Sequence, residues 1–120
     1  MIPVVNIKDK LTSFSDFWNP RIIGALNGQH VKLAKAKGEF VWHKHENEDE
    51  MFYVLEGCLK IEFRDHTAIL HPNEFIVIPK GVEHKPVAEK EVSVMLFEPA
   101  GTLNIGDNDG NFTRRHLEEI

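Results

Sequence analysis

The sequence has a single cysteine, Cys58, among 120 residues, which excludes an internal disulfide and a thiolate zinc cluster and suits a reducing compartment. Any metal site must therefore be built from histidine and carboxylate. No apolar run approaches the roughly 20 residues needed to cross a bilayer, and the opening stretch MIPVVNIKDK lacks the basic end and apolar segment of a secretion signal. A cytosolic protein is expected. Positive charge is also in short supply: the formal net charge is −5, with lysine and arginine scattered among aspartate and glutamate. That leaves no basic stripe for nucleic acid, so neither a nucleic-acid nor a membrane partner is expected. Repeats, low-complexity tracts and linkers are missing too, and the length is that of one domain with one core.

What is present concentrates between Gly38 and Gly57, in GEFVWHKHENEDEMFYVLEG. His43 and His45 stand two residues apart, and in an extended strand that spacing points both imidazoles to one face, about 7 Å apart along the chain. Two neutral imidazoles on one face can share a metal ion. The spacing alone fits a metal pair and a polar cavity equally. The polar run Glu46-Asn47-Glu48-Asp49 has no apolar period and reads as a loop. Glu50 then opens the strand MFYVL, in phase with Phe52 and Val54, which makes it a candidate third ligand. Glu48 and Asp49 are better read as the charged tip of a solvated loop. A fourth candidate, His84, follows the corner Pro79-Lys80-Gly81 at the end of a β-rich run, and a barrel would return it to the first pair. His30, His66, His71 and His116 read as surface or hydrogen-bonded residues.

The rest of the chain reads as many short strands separated by turns, the signature of a closed or sandwiched all-β fold. Ile7, Leu11, Phe14 and Trp18 have approximate helical spacing, so residues 1–20 are expected to form a helical arm on the barrel, ended at Pro20. Asn27-Gly28 predicts a tight hairpin. The barrel is expected over 21–98. Val41, His43 and His45 are expected on the inner face, with Phe40, Trp42 and Lys44 on the outer. An exposed Trp42 would need cover from the N-terminal segment or a second subunit, which suggests a homodimer. Leu59, Ile61 and Phe63 alternate as a core face, and Cys58, in phase with the polar set, reads as a bland half-exposed thiol. His66–Leu70 and Glu74–Ile78 are short strands. Lys85-Pro86 suggests an edge position, followed by a separate strand over Val92–Phe97. The tail over 99–120 is expected to close in a short helix capped by Thr113.

These residues resemble the cupins, small jelly-roll β-barrels. Their first motif is matched by Gly38, His43-Lys44-His45, Glu50 and Gly57, with one residue fewer than usual between Gly38 and His43. Their second is matched by Pro79, Gly81 and His84, while Asn73 stands where a glycine is usual and Ala88 where an asparagine is frequent. All four ligand positions are kept, and the departures fall in turns and packing. The flanking stretches resemble small single-domain cupins described as mannose-6-phosphate isomerase-like. The resemblance implies an all-β cupin jelly-roll with short N-terminal and C-terminal helical segments.

It also implies a divalent metal held by His43, His45, Glu50 and His84. Ligand chemistry of this borderline kind suits Fe, Mn, Ni, Zn or Cu without choosing among them. Four protein ligands in an octahedral sphere leave two positions for water or substrate. A small polar ligand, a sugar or a keto or hydroxy acid, is expected there. The chemistry would be isomerisation or oxygenation if the protein is an enzyme. The alternatives are a dimeric ligand-binding or metal-sensing module without catalysis, and a structural barrel with an empty polar pocket. No general base stands out among the remaining titratable residues, and no helix-turn-helix pattern precedes the barrel.

Overall fold

The computed structural model describes residues 1–104, 106, 107, 110 and 112–120. Its elements are α1 (Ile7–Leu11), β1 (Arg21–Leu26), β2 (Gln29–Glu39), β3 (Glu50–Glu56), β4 (Leu59–Phe63), β5 (Thr67–Leu70), β6 (Phe75–Ile78) and β7 (His84–Pro99). All ladders are antiparallel. The main path runs β1-β2-β7-β3-β6, and β4 pairs with both β5 and β7. The strand that ties these together is β7. Its first residues, His84–Val87, pair with β4, while Ser93–Phe97 pair with β3 and Val87–Pro99 with β2. One long strand thus serves both walls of the barrel. The expected break between His84–Val87 and Val92–Phe97 is not observed, and Pro86 is no edge residue, since it sits opposite Ile61.

The expected hairpin is present: Asn27 and Gly28 both take positive φ, and Leu26 pairs with Gln29. The second turn that departs from the cupin pattern has a physical explanation. Asn73 adopts φ 69°, the left-handed conformation for which glycine is usual and asparagine is tolerated. Its backbone N–H donates to Val54 O at 2.8 Å, and its side chain accepts from Tyr53 Oη at 3.0 Å.

Inward alternation fills the barrel. Phe52 and Val54 of β3, Leu59 and Ile61 of β4, and Val92, Val94 and Leu96 of β7 form one cluster with Ala34, Ala36 and Ala88. On the opposite face of the sheet, Leu11 and Phe14 from the N-terminal arm pack with Leu33, Leu55 and Met95. The arm therefore lies on the barrel, but only Ile7–Leu11 is helical: Phe14 and Trp18 fall outside the helix, and Trp18 packs against the inner cluster instead. Asn6 caps α1 by accepting from the Asp9 N–H at 3.0 Å, and the Lys10 ammonium reaches the Ile120 carbonyl.

The C-terminal helix is not formed: residues 112–120 carry no helix, and Thr113 caps none. Instead Ile22 N–H donates to Glu118 O at 2.9 Å and Ile120 N–H to Ile22 O at 3.0 Å, so the tail adds a short parallel bridge to β1. Pairing with an open strand edge satisfies β1 backbone groups that a helix would leave to solvent. Among the described residues no helix is long and apolar enough to cross a membrane.

Candidate metal centre

The segment carrying His43 and His45 leaves β2 at Glu39 and is extended without being a regular strand. It is zipped to the start of β7 instead. His43 N–H donates to His84 O at 3.0 Å, His84 N–H returns to His43 O at 2.9 Å, and Gly81 N–H donates to His45 O at 2.8 Å. Two of the candidate ligands are thus fixed directly opposite one another by backbone bonds. Asp49, expected as a solvated tip, fastens the same corner by accepting from Lys80 N–H at 2.9 Å. From the other side, Asp107 N–H donates to Lys44 O and Asp107 Oδ1 accepts from Lys44 N–H, both at 2.9 Å. The tail approaches so closely at Gly106 that a Cβ there would collide with the Lys44 carbonyl and crowd the His43 ring.

Because this segment is not a full strand, alternation fails at Phe40. Expected outside, it is buried, stacks on Trp18 with ring centroids 4.7 Å apart, and meets the His43 ring edge-on at 5.3 Å. Trp42 does lie outside, but its cover is intramolecular: the Arg64 guanidinium sits 3.8 Å from its ring centroid.

His43, His45, Glu50 and His84 converge, and all four are buried. One ligand atom from each lies within 4.8 Å of every other. Donors around one ion at about 2.1 Å would be roughly 3.0 Å apart when adjacent and 4.2 Å when opposite, so the group could hold a metal after about half an ångström of contraction. Ring tautomers favour this. His43 Nδ1 donates to Val41 O and His84 Nδ1 to Val82 O, both at 2.9 Å. A carbonyl can only accept, so each Nδ1 carries the proton and each Nε2 keeps its lone pair. His45 Nε2 and His84 Nε2 stand 3.3 and 3.4 Å from Glu50 Oε1. His45 Nδ1, His45 Nε2, His84 Nε2 and Glu50 Oε1 are buried without a hydrogen-bond partner. Buried polar atoms are normally satisfied, and leaving one unsatisfied costs about 1–3 kcal/mol; a cation at their common centre would satisfy three of these atoms together.

Electrostatics sharpen the arrangement. Burial, aided by the neighbouring His84 imidazole, pushes His43 down to about 4, so it is neutral and ready to ligate at pH 7. Burial also opposes charge on His45, but the nearby Glu50 carboxylate, with Glu48 and Asp107 behind, raises it on balance. Burial would push Glu50 up, yet its close contacts with Glu98, His45 and His84 hold it well below the usual carboxylate range. Glu98 goes the other way: burial and the neighbouring Glu50 carboxylate raise it well above that range, only partly offset by Lys32. The two carboxyls are thus driven in opposite directions, so a proton taken up between them sits on Glu98 in preference to Glu50.

Glu98 and Lys32 are what the sequence reading missed. Both were legible in alternation, since Glu98 is in phase with Val92, Val94 and Leu96, and Lys32 with Ala34 and Ala36. Of the other histidines, His66 Nδ1 lies 2.7 Å from Asp65 and His71 Nδ1 lies 3.1 Å from Glu74, while His30 and His116 also stand outside the cluster. Cys58 is a free, exposed thiol.

With this geometry in place the comparisons with known proteins become decisive. The sequence pattern of the Cupin domain matches residues 29–99, more than half of the chain. The chain belongs to the cupin family. Its fold matches a cupin-2 domain containing protein from Shewanella frigidimarina at 50% identity and TM-score 0.79, covering 80% of this chain and 94% of that one. A structure from Neisseria meningitidis matches at 30% identity and TM-score 0.75, with 82% and 100% covered. The uncharacterized protein YdbB of Bacillus subtilis (strain 168) is 42% identical over 80 residues, 66% of this cupin. The match spans 65% of the Bacillus protein's own length.

Proposed function

We propose that His43, His45, Glu50 and His84 hold one divalent transition-metal ion, Fe, Mn, Ni, Zn or Cu, and that a small oxygen-bearing ligand, a sugar or a keto or hydroxy acid, takes the remaining coordination positions. The observation that carries this reading is the set of buried, unpartnered nitrogen and oxygen atoms directed at one another in the barrel. A bound ion would supply Lewis-acid polarisation of a carbonyl, or a site for dioxygen if it is iron. The chain's own residues set the conditions around it. Val41 and Val82 carbonyls orient His43 and His84, and Glu98, anchored by Lys32, places a second carboxyl at the pocket wall beside Glu50. An isomerase or dioxygenase and a non-catalytic ligand-binding or metal-sensing module both use such a centre, and turnover of the metal-loaded protein distinguishes them.

The protein works as a homodimer in the cytosol in this reading, without nucleic-acid or membrane partners. Support for the pairing is the outer face of the edge strand β6, where Phe75 is 61% and Val77 53% exposed, beside Tyr53 and Met51 of β3. Elemental analysis of protein purified without chelator, beside the His43→Ala, His45→Ala double variant, tests the metal reading. About one ion per wild-type chain and almost none in the variant is expected; equal metal in both ends it.

A further inference from the structure

The cluster opens onto a cavity of about 40 Å³ whose walls include His43 and Glu50. That is room for about three water molecules. Its other walls are Trp18, Phe40, Phe52, Val94 and Leu96, together with small residues such as Ala36. Beyond the two metal-facing residues, the polar lining consists of Glu98 and Asn104. Glu98 is almost fully buried; Oε1 takes Lys32 Nζ at 2.8 Å, while Oε2 has no hydrogen-bond partner.

This combination discriminates between the two ligand classes. A hexose brings a hydroxyl on nearly every carbon, and each one buried against Phe40, Phe52 or Leu96 without a partner costs roughly tenfold in affinity. A 2-oxo or 2-hydroxy acid brings its oxygens to one end and leaves the other apolar. Resting on the metal reading above, we infer that the ligand is a 2-oxo or 2-hydroxy acid with a short apolar tail of about three carbons. Its paired oxygens face the cluster, its tail lies among Ala36, Phe52, Val94 and Leu96, and Glu98 Oε2 offers the one further polar contact, since Asn104 is engaged with Phe112 O and Arg114 N–H.

The test uses the full chain loaded with Co(II), whose visible spectrum reports ligands entering the metal's coordination sphere. Oxalate, which chelates but has no tail, is compared with pyruvate, 2-oxobutyrate, 3-methyl-2-oxobutanoate and mannose 6-phosphate. Affinity is expected to rise about fourfold per added buried carbon from pyruvate onward, with mannose 6-phosphate weakest. Ala36→Leu, which fills the cavity, should bring the ratio of 3-methyl-2-oxobutanoate to pyruvate affinity close to one. Leu96→Ala should move the optimum to 4-methyl-2-oxopentanoate. If oxalate binds but the acids show no dependence on tail, or the sugar phosphate binds best, the ligand assignment is wrong while the metal centre stands. If cobalt does not bind, or oxalate leaves its spectrum unchanged, both fall together.

Discussion

Lys32 Nζ lies 2.8 Å from Glu98 Oε1 inside the barrel, and each side chain is only 2% exposed. Lys32 is held on β2 opposite Leu96, one inward position from Glu98 on β7. Glu98 in turn abuts Glu50. A charged chain of three residues therefore runs from the barrel interior to the candidate metal centre. Lys32 supplies the one positive charge that meets Glu98 in this chain.

Removing one member of a buried pair leaves the other uncompensated, whereas replacing both with apolar residues of similar volume is often nearly neutral. Lys32→Met alone is expected to cost about 3 kcal/mol in urea unfolding, and Lys32→Met combined with Glu98→Leu to recover most of it. A double variant as unstable as the sum of its parts would show that the pair is not coupled.

The metal-free protein should also report on His43 through pH. In the unfolded chain a histidine titrates near 6.5; in the fold His43 is pushed down to about 4 by burial and by the neighbouring His84 imidazole. Between those values the unfolded state binds a proton that the folded state refuses, so this contribution to stability falls as pH falls and levels off below about 4. Over the full window it amounts to about 3 kcal/mol at most. His45, raised on balance by Glu50 against its burial, acts above 6.5. Lowered Glu50 acts below 4.5, whereas raised Glu98 loses stability as pH climbs above 4.5, opposing His43. Comparison with His43→Gln cancels these neighbours to first order. Wild type is expected to lose about 3 kcal/mol more than the variant between pH 6.5 and 4; parallel pH curves would contradict the assignment of His43 as a buried neutral imidazole.

For the dimer, Phe75→Glu with Val77→Glu places two carboxylates on the outer face of β6, where both native side chains are more than half exposed. Sedimentation equilibrium should give twice the chain mass for wild type and the single-chain mass for the variant, with unchanged far-UV circular dichroism. A wild-type monomer at micromolar concentration would remove the pairing from the account.

Most of the site was legible because its residues follow strand phase or the cupin motif spacing. Glu50, in step with Phe52 and Val54, and His84, just after the Pro79-Lys80-Gly81 corner, stand where that logic puts them. Phe40 was misplaced because period-2 reasoning needs a continuous ladder, and here the chain is held by an isolated bridge between His43 and His84. The C-terminal segment failed for a different reason: Thr113 and the apolar spacing after it are compatible with a helix, but Ile22 offers Glu118 and Ile120 backbone partners, and tertiary pairing overrides weak local propensity. Trp42 needed a partner, as its exposure suggested, yet Arg64 lies far along the chain and no local pattern announces it. Glu98 and Lys32 were hidden in plain alternation because charged residues at inward positions are normally discounted.

The most direct measurement is the anomalous difference map of a crystal soaked in Mn(II). The account predicts a single strong peak per chain at about 2.0–2.3 Å from Nε2 of His43, His45 and His84 and from a Glu50 carboxylate oxygen. A map with no peak among these four side chains, or with its strongest peak on the loop carboxylates of Glu48 and Asp49, would contradict it.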